Sequence, residues 1–166
     1  MSTIIVGIGN RVLSDDAVGI KVAHALADAL RSRSDVVTCE LWGGGLRLME
    51  TLNGHERAII IDAIMTEGGK PGSVYTLKPS DLRQSRNTYS THDGGFQEAL
   101  ELGAMLGLNL PPQITIWAIE ADDVVTYSEN LTPDVERAVP VVVEGVMRQI
   151  NLEKQLPLSV VEGRNE

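Results

Sequence analysis

Short apolar segments recur along the chain, and amphipathic segments of helical periodicity lie between them. Five of the short segments are mostly apolar on both faces, as buried parallel strands are. The pattern therefore predicts five strands, at residues 3–8, 36–41, 57–62, 74–77 and 113–118. The fourth is the shortest and follows the turn Lys70-Pro71-Gly72, so we expect it at an edge of the sheet.

Four helices are predicted around these strands. The first begins near Asp15 and Asp16, since carboxylates suit the positive end of the helix dipole, and it ends near Arg31. Its apolar stripe comprises Val18, Val22, Ala25, Leu26 and Ala29. The other helices are expected at 46–52, at 96–106 with Gly107 as the C-cap, and at 133–150 with a kink at Pro140.

Strands that alternate with helices are typical of α/β proteins. We therefore predict a three-layer αβα fold with a mostly parallel, twisted sheet of about five strands. The length of 166 residues suits one domain, which we place at residues 1–152, followed by a polar C-terminal tail at 153–166. The side chains expected to form the core are Val6, Ile59, Ile60, Ile61, Ile114 and Ile116.

Charge and cysteine content exclude several functional classes. The chain has 14 Lys and Arg against 23 Asp and Glu, and the net charge of -9 repels nucleic acid. Cys39 is the only cysteine, which excludes an intrachain disulfide and a zinc site with several thiolates. We find no signal peptide and no apolar run approaching the ~20 residues of a membrane span, so we expect a cytoplasmic monomer without membrane contact.

The first strand leads into the glycine turn Gly7-x-Gly9. A dinucleotide fingerprint would need a small residue where Val12 stands, and Asp15 and Asp16 would repel a pyrophosphate. Nucleotide binding is therefore disfavoured. The two acids fall at the carboxyl edge of the sheet, where open α/β folds hold ligands. Alternatively, both serve only the start of the helix.

Two more residues are predicted at the same edge. Asp62 directly follows four apolar residues of the third strand, and a carboxylate there needs a cation or hydrogen-bond donors, unless it only caps a neighbouring loop. His92 lies in a long polar loop at 78–94, whereas the other histidines fall in a helix and a turn. If His92 is more than a solvated side chain, Asp16, Asp62 and His92 form a ligand set suited to nickel or zinc.

Five motifs, in this order, closely resemble those of the nickel-iron hydrogenase maturation endopeptidases. They are Gly7-x-Gly9-Asn10, Asp15-Asp16-x-x-Gly19, Trp42-Gly43-Gly44-Gly45, Ile61-Asp62-Ala63 and Ser90-x-His92. The resemblance runs from about residue 3 to residue 150. It implies an endopeptidase that recognises nickel already inserted into a hydrogenase large-subunit precursor and removes the C-terminal extension of that precursor.

The resemblance also implies roles for residues of this chain. It places the metal-binding and catalytic residues at Asp16, Asp62 and His92, with nickel presented by the precursor rather than owned by the protease. Gly43, Gly44 and Gly45 would form a substrate loop beside the cleft, although a simple flexible turn is the alternative. Ala17 stands where many members have glycine, which we interpret as a subgroup difference that leaves open which hydrogenase is the substrate.

The sequence leaves several mechanisms open. The metal can polarise a carbonyl or lower the pKa of a water, or an aspartate can act as general base. Nucleophilic catalysis is disfavoured, since Cys39 has no histidine nearby in sequence and no G-x-S-x-G motif occurs. The alternative function is a non-catalytic, nickel-dependent binding or chaperone module for the same precursor. A surrogate ion such as zinc, cadmium or calcium can occupy such a site.

Overall fold

In the computed structural model, which describes residues 2–82, 88–89 and 95–155, strands and helices alternate as predicted. The strands are β1 (Thr3–Ile8), β2 (Val36–Leu41), β3 (Arg57–Thr66), β4 (Val74–Leu77), β5 (Thr88–Tyr89) and β6 (Gln113–Glu120). The helices are α1 (Val18–Ala29), α2 (Leu46–Leu52), α3 (Pro79–Leu82), α4 (Phe96–Met105) and α5 (Pro133–Gln155). A short 3-10 helix, Ser14–Ala17, precedes α1.

The described strands form one sheet in the order β2-β1-β3-β6-β4, with β5 paired to β3. The three pairings among β2, β1, β3 and β6 are parallel, whereas β4 runs antiparallel to β6 and β5 antiparallel to β3. The predicted edge position of β4 is confirmed. The mostly parallel α/β fold is confirmed as well.

Two apolar cores lie on the two faces of this sheet, because successive strand residues point to opposite faces. On one face Ile59 and Ile61 pack with side chains of α1 and α5. On the other face Ile60 packs with α2 and α4. The predicted core is confirmed except at Ile114, which is only partly buried near the start of β6. The result is the expected three-layer arrangement.

Two glycines let α1 lie directly on the sheet. A Cβ atom at Gly7 would come within 2.3 Å of the Gly19 carbonyl oxygen, and one at Gly19 within 2.3 Å of the Ile61 carbonyl oxygen. Neither distance is possible for a real side chain, so the helix backbone contacts β1 and β3 without intervening atoms. This contact sets the position of the residues that precede α1.

Several element boundaries differ from the prediction. β3 and β6 extend past residues 62 and 118, because the two strands continue to pair with each other as far as Ile64 and Glu120. The predicted loop at 78–94 contains α3 and β5. Ala29, expected in the apolar stripe, is exposed.

The last helix also departs from expectation. α5 continues through Pro140 and reaches Gln155, so it enters the segment predicted to be a tail. Residues 156–166 of that segment lie outside the described part of the chain. None of the helices within the described residues has both the length and the apolar character needed to cross a membrane.

Candidate functional site

Asp62 lies where the neighbouring strand stops. The β1–β3 pairing ends at Gly7 and Ile61, whereas the β3–β6 pairing continues beyond Asp62. The prediction that β3 ends at Asp62 is therefore wrong. Asp62 is nevertheless the first residue of β3 that no longer pairs with β1. It is 7% exposed, and one carboxylate oxygen accepts a hydrogen bond from the Ala63 amide at 2.8 Å. The carboxylate is thus buried at the carboxyl edge of the central strands.

Asp16 lies on the turn that follows β1, the strand next to β3. Its carboxylate Oδ2 accepts a hydrogen bond from the Asn10 amide at 3.0 Å, and the residue is 2% exposed. A Cβ at Gly9 would come within 2.0 Å of the Asp16 carbonyl oxygen, so this close turn requires a glycine there. The structure therefore places Asp16, in the 3-10 helix that follows β1, and Asp62, on the adjacent strand β3, at the same edge of the sheet.

Asp15 has a different role from its neighbour. Its side chain is fully buried and accepts four hydrogen bonds, from the amides of Asp122, Asp123 and Thr132 and from the Thr132 hydroxyl, at 2.7 to 2.9 Å. The Asp15 carboxylate thus connects the start of α1 to the loop between β6 and α5. The alternative in which both acids serve only the helix start is wrong for Asp15.

A pocket opens beside Asp62 on the face covered by α2 and α4. Its wall is largely apolar and includes Leu48 and Phe96, with Gly45 at one side. Gly43 and Gly45 have φ values of +94° and +64°, which other residues rarely adopt, and a Cβ at either position would contact nothing within 4 Å. The glycine loop therefore borders the pocket and leaves open space beside its backbone.

His92 lies outside the described residues, so its predicted place at the site stays a prediction. Within 2–82, 88–89 and 95–155, no three His, Cys, Asp or Glu side chains are grouped closely enough to hold a metal ion. Of the described histidines, His24 has its Nε2 2.7 Å from Glu40 Oε2, and Glu40 also pairs with Arg11.

The sequence prediction missed one buried acid near the site. Glu120 is 2% exposed, and its Oε1 accepts hydrogen bonds from the Thr66 amide and hydroxyl at 2.8 and 2.9 Å. Among the described residues its Oε2 has no hydrogen-bond partner. The missed signal was an acid after apolar Ile119, the same pattern that identified Asp62.

Cys39 is not placed to act as a nucleophile. It lies within β2, paired in register with Val6 of β1, rather than at the carboxyl edge. Burial raises the pKa of the Cys39 thiol, with a smaller contribution from nearby Glu40. The thiol therefore stays protonated at neutral pH, and the thiolate is the reactive form. This finding agrees with the expectation that cysteine catalysis is absent.

Comparisons with known proteins agree on one family. The family model described as hydrogenase maturation protease matches residues 20–149. The hydrogenase expression/formation protein HupD of Rhizobium leguminosarum bv. viciae is 26% identical over 147 residues, 87% of this chain and 72% of that protein. The hydrogenase 2 maturation protease of Escherichia coli (strain K12) is 24% identical over 148 residues, 89% of each chain.

Solved structures share the fold. The hydrogenase maturating endopeptidase HybD from E. coli superposes with a TM-score of 0.76 at 23% identity, covering 92% of this chain and 94% of that one. The NiFe hydrogenase maturation protease HybD from Thermococcus kodakarensis superposes with a TM-score of 0.71 at 26% identity, covering 90% and 99%.

Proposed function

This chain belongs to the hydrogenase maturation protease family, and from that premise we propose that it removes the C-terminal extension of a nickel-loaded nickel-iron hydrogenase large-subunit precursor. The chain is a protease, as its family and its structural neighbours are. The proposal adds that nickel already held by the precursor gates the cleavage. Nickel is then part of the substrate, and the precursor is the partner.

The pair of buried carboxylates at one sheet edge carries this proposal. Asp16 and Asp62 are 2% and 7% exposed; Asp16 lies in the 3-10 helix after β1, and Asp62 lies on the neighbouring strand β3. Burial of a carboxylate is costly unless hydrogen-bond donors or a cation compensate its charge. A nickel ion that arrives with the precursor would add a cation to the hydrogen bonds that these two carboxylates already accept. Carboxylate and imidazole groups are suitable ligands for it.

We assign His92 as the third nickel ligand. Tyr89 and Gly95, each three residues away in sequence, are the nearest described positions on its two sides. Tyr89 pairs with Met65 of β3, and Gly95 precedes Phe96, which lines the pocket beside Asp62. Three residues of chain span at most about 11 Å. The support for this assignment is the motif Ser90-x-His92, because His92 itself lies outside the described residues.

The same edge offers what hydrolysis of a peptide bond needs. A carboxylate, Asp16 or Asp62, can accept a proton from the attacking water. The open backbone of Gly43 and Gly45 beside the pocket leaves room for an extended peptide to approach. We therefore propose that the extension of the precursor lies along the glycine loop while its nickel meets the acids.

The test measures cleavage of nickel-loaded and of nickel-free precursor by the parent and by variants of the three site residues. We expect the parent to shorten only the nickel-loaded form, measured by intact mass, and Asp16→Asn, Asp62→Asn and His92→Ala to slow release by about 100-fold or more. Asp122→Asn is the matched control, because Asp122 is an exposed acid at the same edge. It should process at the parent rate.

Each outcome decides a separate part of the proposal. Equal cleavage of nickel-free precursor would contradict nickel gating. Parent-like processing by Asp62→Asn or His92→Ala would contradict the site assignment. Binding of the nickel-loaded precursor by the parent without any release of the extension would favour the non-catalytic binding module.

A further inference from the structure

Large apolar side chains are exposed around the acid edge. Val12, Trp42, Val125 and Tyr127 are 41%, 73%, 77% and 85% exposed, and we name these four residues the apolar rim. Val12 follows β1, Trp42 follows β2, and the other two lie in the loop after β6. These strands surround Asp62, because β3 lies between β1 and β6. Single exposed apolar residues are common on protein surfaces, but several grouped at one edge mark an interaction site.

Backbone contacts join the parts of the apolar rim. The Ser128 amide donates to the Val12 carbonyl at 2.9 Å, and the Ser14 amide donates to the Ser128 carbonyl at 2.8 Å. Tyr127 is therefore next to the β1 turn. On the other side of that turn, the Gly9 amide donates to the carbonyl of Leu41, the residue before Trp42, at 3.1 Å. The loops that carry the apolar rim are thus joined to one another by backbone hydrogen bonds along one edge of the sheet.

The loop that carries Val125 and Tyr127 is already ordered without a partner. Asp15 accepts hydrogen bonds from the Asp122 and Asp123 amides. Asp123 in turn accepts from the Val125 and Thr126 amides at 3.0 and 2.9 Å. A surface held in its exposed conformation loses little entropy when it binds. The loop after β6 is therefore suited to docking a partner.

We propose that the apolar rim docks the folded body of the hydrogenase precursor and so positions its nickel and tail at Asp16 and Asp62. The inference rests on the proposed function and adds a second recognition surface, apolar and distinct from the acids. A precursor whose tail reaches the acids must pass the loops that carry the apolar rim.

A second copy of this chain is a poorer occupant of the same surface. It would cover the edge where the substrate must enter. The net charge of -9 also makes two copies repel each other, and the loop after β6 itself carries Asp122, Asp123 and Glu129. The first objection does not apply to the precursor, because its own tail must enter at this edge.

The experiment uses the double variant Val125→Ser/Tyr127→Ser and the control Met105→Ser. Met105 is 84% exposed at the end of α4 opposite to the pocket-lining Phe96. With nickel-loaded precursor we expect the double variant to raise KM about tenfold or more and to keep kcat, since exposed side chains that dock the substrate act on binding. Met105→Ser should match the parent.

Direct binding separates this inference from the proposed function. If the parent binds the precursor but releases no fragment, the proposed function fails, and the inference stands only if the double variant binds about tenfold more weakly. Parent-like KM and affinity in the double variant would overturn it. So would an absence of binding by the parent, or a parent dimer in sedimentation that the double variant abolishes.

Discussion

Two consecutive aspartates show that identical residues take different roles when their partners differ. Asp15 accepts four hydrogen bonds from the loop after β6 and from Thr132. Asp16 accepts a hydrogen bond from the nearby Asn10 amide, at the edge that also holds Asp62. Asp15 therefore supports the fold, and Asp16 is the candidate for contact with substrate.

We predict that the two acids separate stability from activity. Asp15→Asn should lower the free energy of unfolding by about 2 kcal/mol or more, because its amide group turns a donor toward buried amides. Asp16→Asn should lose processing, and its amide oxygen can still accept the hydrogen bond from Asn10, so we expect its loss of stability to be smaller than that of Asp15→Asn. Urea unfolding and precursor cleavage measure the two effects. Equal losses of stability would contradict the distinction.

Among the elements, α1 and the sheet determine the geometry of the site. Gly7 and Gly19 bring the α1 backbone against β1 and β3, and the turn that carries Asp16 leads directly into this helix. A shift of α1 away from the sheet would therefore move Asp16 relative to Asp62. The absence of side chains at Gly7 and Gly19 therefore links the packing of α1 to the geometry of the site.

Gly19→Ala tests this link. Alanine favours a helix by about 1 kcal/mol over glycine. Nevertheless we expect a net loss of about 2 kcal/mol in unfolding free energy, because the new Cβ would lie 2.3 Å from the Ile61 carbonyl oxygen. Ala27→Gly, at an exposed position of α1, serves as the comparison and should cost only the helix propensity. A Gly19→Ala protein as stable as the parent, by thermal unfolding, would show that α1 has room to move.

At the scale of the whole molecule, acidic side chains stabilise the fold through their hydrogen bonds. The hydrogen bond from Arg33 holds the pKa of Asp35 well below its usual range. Burial opposes a similar shift at Glu40, but hydrogen bonds from Arg11 and His24 leave its pKa lowered. The pKa of Asp123 is lowered by hydrogen bonds from Thr126 and Val125. These carboxylates therefore prefer the folded, ionised state.

The shifts predict the direction of pH dependence. A carboxyl group with a lowered folded pKa stabilises the fold fully above its unfolded pKa of about 4 and loses this contribution as the pH falls further. Because these groups become protonated, we expect the unfolding free energy to decrease as the pH falls below about 4. In Asp35→Asn the unfolding free energy should fall less over this pH range than in the parent. The difference should be no more than about 1 kcal/mol, because the Arg33–Asp35 pair is partly exposed. An unchanged slope would contradict the contribution of Asp35.

The sequence by itself determined where most elements lie and which family the chain resembles. Apolar runs located β1, β2 and β4 at their observed bounds, because a buried strand must be apolar where it lies. An apolar run identified Asp62 as a candidate, the glycine turn and the family resemblance identified Asp16, and the assignment of His92 stays a prediction. A polar residue inside a run, such as Asp62, made β3 end too early in the prediction.

Only the tertiary structure decided how these acids divide their roles. The hydrogen-bond partners of Asp15 lie more than 100 residues further along the chain; Asp122, for example, is 107 residues away. A local sequence pattern cannot indicate such distant partners. The register that ends β1 at the level of Asp62 and continues β6 to Glu120 depends on pairing between distant strands. Periodicity reports whether a residue is buried. Its hydrogen-bond partners, and therefore its function, depend on which distant segments the fold brings beside it.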